Sequence, residues 1–111
     1  DACQTLQSDN VFNRWRSVFA GLHYILGFHT GCGDAATRGL VFAQRLNQGW
    51  SVRDAWIDAC VATEGAGTHW AYLRADSPGT NTLNDHWWGK GFTSPEPSPA
   101  TQTLWYSHGP C

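Results

Sequence analysis

The sequence predicts an α/β domain with a small, mainly parallel sheet flanked by helices. Two observations lead there. Apolar residues fall at helical spacing in segments that alternate with short β-branched and aromatic runs. The chain is 111 residues long, with 41% hydrophobic and only 14% charged residues, which suits one compact core and excludes a disordered chain.

Residues 1–7 read as the end of an element followed by a loop. Asp9 or Ser8 is placed to cap a helix from about Asn10, with Val11, Phe12, Trp15, Val18 and Phe19 on one side and Gly21 as its stop. Residues 22–29 form an apolar run suited to a buried strand. A second helix is expected from about Ala35 to Gln48, with Leu40, Phe42, Ala43 and Leu46 as its apolar set and Asp34 as its N-cap. Ser51 and Asp54 approximate a capping box that opens a third helix, Val52 to Thr63. Residues 68–75 and 101–107 read as further strands. Between them lies a Pro/Gly-rich excursion, residues 76–100, with Asp85, His86, Trp87 and Trp88 as an island. The chain divides into an α/β part at 1–75, the loop at 76–100, and a terminal strand with a cysteine staple at 101–111.

Net charge is −2, with no basic stripe, so nucleic acid is not an expected partner. No apolar run approaches the roughly 20 residues that span a bilayer. The four cysteines, Cys3, Cys32, Cys60 and Cys111, permit two disulfides in any of three pairings. Their long spacings, with no C-x-x-C pair, argue against a zinc site built from cysteine. Cys111 is best explained as a staple for the tail. The chain begins at Asp1 rather than methionine, which suits a processed product or a piece of something longer. An extracellular, oxidised setting is expected.

Six further residues are candidates for chemistry or contact. His23 and His29 lie six apart, so strand alternation puts them on one face, with Asp85 and His86 as a source of a third ligand. Core or hydrogen-bonded histidines are the simpler account, and no metal or cofactor is expected. Trp87 and Trp88 offer an aromatic surface for sugars or a partner chain; burial, inside the domain or at an interface, is the blander expectation.

The order of motifs resembles the C-terminal half of the caspase-like cysteine peptidases, the group of caspases, gingipains and CHAT domains. Asp1-Ala2-Cys3 resembles their nucleophile turn. It is followed by a helix, the strand Tyr24–Phe28, Asp34, a helix ending at Gly49, and the run Ser51–Ala59. The segment is also similar to an uncharacterised bacterial family of that layout, and the likeness stops near residue 75. It implies Cys3 as a nucleophile and Asp34 as a pocket residue for a basic side chain. The family's catalytic His-Gly stands upstream of the cysteine, where this sequence has only two residues. Ser107-His108-Gly109, after a hydrophobic strand, matches that motif in permuted position and makes His108 the candidate base.

The leading expectation is a secreted, disulfide-stapled, non-catalytic subunit that works by self-association or by binding another protein chain, as in a surface layer or filament. The alternatives are a processed cysteine endopeptidase using Cys3 and His108, and a carbohydrate-binding module using Trp87 and Trp88.

Overall fold

The computed structural model describes residues 3–111. Asp1 and Ala2, half of the nucleophile-like turn, lie outside the described residues. The chain forms a slab of 37 × 34 × 18 Å. Its elements are α1 (Val11–Trp15) with a 3-10 turn at Arg16–Val18, β1 (Tyr24–Phe28), α2 (Arg38–Asn47), α3 (Val52–Thr63), β2 (His69–Asp76) and β3 (Thr103–Pro110). The three strands form one sheet in the order β1-β2-β3.

Both strand pairs are antiparallel, which corrects the expected parallel sheet. The reason is the number of helices between β1 and β2. One crossover helix returns the chain to where the first strand began, and the next strand runs parallel. Here two helices pack as an antiparallel hairpin. Arg38 meets Thr63 and Glu64 at one end of the hairpin, and Arg45 meets Asp58 further along. The chain therefore comes back to the end where β1 finished, and β2 must run the other way.

Residues alternate between the two faces of the sheet. On one face Ala71, Leu73, Ala75 and Leu104 bury against Leu6, Val11 and Phe19, with Trp15, Ile25 and Tyr106 packed around them. Phe28 belongs to the other face by register. Its ring meets Trp56 of α3 at 5.4 Å between centroids, and Trp56 meets Phe42 of α2 at 5.6 Å. The Trp56 indole N–H donates to the Gly27 carbonyl at 3.1 Å, fixing α3 on β1.

The helix starts differ in how well they follow the sequence. Ser51 accepts a hydrogen bond from the Asp54 N–H at 3.2 Å, so the expected cap of α3 is formed. The helix α1 starts after Asn10, with no side-chain cap from Ser8 or Asp9. The helix α2 starts at Arg38 after Thr37, so Asp34 is not its cap but an exposed loop residue. Leu40 and Ala43 face outward, and α2 instead buries the guanidinium of Arg38. That group pairs with Glu64, donates to the Gly33 carbonyl at 2.9 Å, and lies over the Phe28 ring at 4.7 Å. Glu64 also accepts from the Gly33 N–H at 2.7 Å, so one buried ion pair holds the loop before α2 to the end of α3.

Two disulfides close the same end of the sheet. Cys3 pairs with Cys32, just beyond β1, and Cys60 of α3 pairs with Cys111, just beyond β3. Loops of 29 and 51 residues each stabilise the fold by about 4 kcal/mol in the chain-entropy account.

Candidate functional site

The opposite end of the sheet carries a cleft of about 780 Å³. One wall is the segment from Val18 through Ala20, Gly21 and Leu22 to His23 and Tyr24. The other is Asp85, His86, Trp87, Thr93 and Glu96 of the long loop, and Val52 of α3 completes it.

The long loop is not loose. Asp76 accepts from the Thr82 N–H at 2.8 Å and pairs with Arg74, and Thr82 is fully buried. The Asp85 carbonyl accepts from the Val52 N–H at 2.7 Å, which seats the loop on the first turn of α3. His86 bridges to Ser51 beside it. His86 N–H and Phe92 C=O then close a narrow tip at 2.8 Å, inside which the Lys90 N–H donates to Trp87 at 2.9 Å. Gly91 makes this tip possible. Its φ is +156°, and a Cβ there would come within 2.6 Å of the His86 ring.

Asp85 is the central side chain of the site. It is only 3% exposed. One carboxylate oxygen accepts from the Ser94 N–H at 2.7 Å, and the other holds His23 Nδ1. With Nδ1 held by the carboxylate, Nε2 is the ring nitrogen left for a ligand. No hydrogen bond to that Nε2 is made among the described residues. Such a nitrogen can form a hydrogen bond with a ligand hydroxyl. Tyr24 donates to the Leu83 carbonyl at 3.1 Å, and burial pushes its phenol above the ordinary tyrosine range, so it stays a donor. Gly21, with φ +102°, leaves room for the Glu96 carboxylate, which would lie 3.1 Å from a Cβ at that position.

The tip of the loop turns aromatic surface outward. Trp87 is 55% exposed and Trp88 84% exposed. The expected burial of these tryptophans inside the domain is corrected. Trp87 shares a surface groove with Phe42, Ala43 and Leu46 of α2, and Trp88 is left exposed.

The remaining sequence candidates go elsewhere. His23 and His29 do not share a site: His23 serves the cleft, and His29 sits at the stapled end beside Tyr106, 3.0 Å away. Cys3 Sγ is bonded to Cys32, and a disulfide sulfur is not a thiolate. His108 stacks on His29 at 4.1 Å between ring centroids. Asp34 does not line the cleft. Among the described residues no group of three or more His, Cys, Asp or Glu side chains is arranged to hold a metal ion, and no helix is long and apolar enough to cross a membrane. The sequence offers Asp85 and His86 beside His23 only as a source of a metal ligand, not as a carboxylate that fixes the imidazole. The pairing of Asp85 with His23 spans 62 residues, and no local pattern reports it.

The domain family described as "Domain of unknown function (DUF6345)" matches residues 1–109. The chain belongs to this family. No curated protein and no solved structure matches it. Since the family's description carries no activity, the chemistry of the cleft has to speak for the site.

Proposed function

We propose that this DUF6345 domain is an extracellular, disulfide-stapled recognition module that binds carbohydrate in the cleft at the unstapled end of its sheet. One observation carries this reading: a concave site whose buried Asp85 fixes His23 is lined by the half-exposed indole of Trp87, and the exposed Trp88 follows it in the same loop tip. Sugars present flat C–H faces that stack on indole, and hydroxyls that pair with imidazole and carboxylate groups. His23, Glu96 and Thr93 supply such polar partners around the lining of Val18, Leu22 and Val52. The two disulfides support an oxidising compartment. The likeness to caspase-like peptidases enters as ancestry without catalysis, because the cysteine that would attack is tied in a disulfide.

The test is tryptophan fluorescence titration with a panel of soluble neutral and acidic oligosaccharides. Saturable binding is expected for one class. Trp87→Ala and Trp88→Ala should each weaken it at least about fivefold, as truncated aromatic anchors do. A panel with no saturable response, or binding indifferent to both substitutions, would refute the reading.

Self-association is the second reading, favoured by the outer edge of β3. No further strand pairs with that edge among the described residues, and Trp105 of this strand is half exposed. Sedimentation velocity over a wide concentration range tests it: an assembling edge gives a concentration-dependent sedimentation coefficient, and a constant monomer value excludes it.

A further inference from the structure

At the stapled end of the sheet three imidazoles gather on one face, one from each strand or its extension. His29 follows β1 and continues the ladder, its N–H donating to the His69 carbonyl at 3.0 Å. Residue His69 opens β2, opposite Pro110, and His108 of β3 lies opposite Ala71. His69 and His108 are therefore diagonal neighbours across the strand pair. Their Nδ1 atoms are 3.3 Å apart.

We propose that His69 and His108 form a two-imidazole binding site for a borderline divalent cation such as Zn²⁺ or Cu²⁺. The spacing is the main argument. Two zinc–nitrogen bonds of about 2.0–2.1 Å at the tetrahedral angle place their nitrogens about 3.3 Å apart. Imidazole selects zinc, copper and nickel over magnesium and calcium, and among the described residues no carboxylate pairs with either ring to favour the harder ions. In the metal-free protein the two Nδ1 atoms share one N–H···N contact. Ligation by both requires the ring that carries its proton on Nδ1 to move it to Nε2, so the neutral pair neither gains nor loses a proton. The rings must also turn so that both lone pairs converge, and their exposure leaves them free to do so.

His29 has a different part. Its ring stacks on His108 at an interplanar angle of 15°. Its Nδ1 is engaged by the Ser8 N–H at 3.3 Å and faces the Tyr106 hydroxyl. It positions the His108 ring and is not a ligand. The other coordination positions belong to water.

The experiment is calorimetric titration of the oxidised, untagged chain with zinc chloride alone. One Zn²⁺ per chain is expected. Replacing both His69 and His108 by Ala should weaken binding at least about tenfold. His23→Ala and His86→Ala, at the other end, should leave it unchanged, and His29→Phe, which keeps a stacked ring, should retain it. In the unaltered chain the imidazole proton resonances of His69 and His108 should shift with zinc, a readout independent of whether the double variant folds. The proposal is overturned by any of four results: no binding at millimolar zinc, unmoved His69 and His108 resonances, loss of binding in the His23 or His86 variant, or loss in His29→Phe equal to that in the double variant.

Discussion

The two ends of the sheet are built by different means. At one end, β1 and β3 run out into Cys32 and Cys111, and two disulfides and the buried Arg38–Glu64 pair lock the connections. At the other end, residues 77–102 pass from β2 to β3 with no cross-link, held by hydrogen bonds to Asp76 and Asp85. The lesson is a division of labour. Covalent closure fixes the frame, and the aromatic surface stands on the end without a cross-link. Loops positioned by a rigid scaffold are where binding residues concentrate.

The largest way to break this contrast is to open a staple. Replacing Cys60 and Cys111 by Ala removes the longer loop closure. It should lower unfolding free energy by about 4 kcal/mol in urea titrations. If the loss is under about 1 kcal/mol, the frame does not depend on its disulfide. Next is Arg38→Met, which strands the buried Glu64 carboxylate and frees the Gly33 carbonyl. A cost of about 3 kcal/mol is expected by the same measurement.

Asp85→Ala sharpens the comparison from the cleft side. It leaves the buried Ser94 N–H without its acceptor and releases His23. A stability loss of about 2 kcal/mol is expected. Hydrogen exchange should rise in residues 82–94 while β2 and β3 stay protected. Uniform acceleration across the sheet would show that the two ends are not separable.

The smallest effect is at the histidines of the stapled end. Partial burial, then the neighbouring His29 and His69, push the His108 imidazole below the usual histidine range. A depressed histidine favours the neutral form in the folded state. Its contribution is therefore complete above the unfolded value of about 6.5 and is lost as pH falls through the lower folded value. Thermal midpoints should decline on acidification through this window, and His108→Gln should flatten the decline. A midpoint that rises on acidification would contradict the sign.

Much of the secondary structure was legible because it rests on local physics. The runs at 22–29, 68–75 and 101–107 each contain most of an observed strand. Ser51 capped α3 as its side chain predicts, and Cys111 proved to be a staple. What escaped was long-range. Strand direction depended on whether the helices at 38–47 and 52–63 pair with each other, a property of their facing surfaces and not of either period alone. The burial of Arg38 has no local signal, since nothing adjacent announces Glu64 as its partner. The cleft escaped for the same reason. His23 and Asp85 stand out in the sequence as candidate ligands, but only the return of the long loop to α3 makes them a hydrogen-bonded pair. Trp87 and Trp88 are legible in the sequence as a candidate surface, and both are exposed in the fold.

The most direct test of the account is to map where a bound oligosaccharide perturbs the amide and indole resonances of the isotope-labelled chain. The prediction is saturable shifts confined to the Val18–Tyr24 segment, the first turn of α3 and residues 85–96, with the stapled end silent. Shifts centred on β3 or the stapled end, or none with any sugar class, would contradict it.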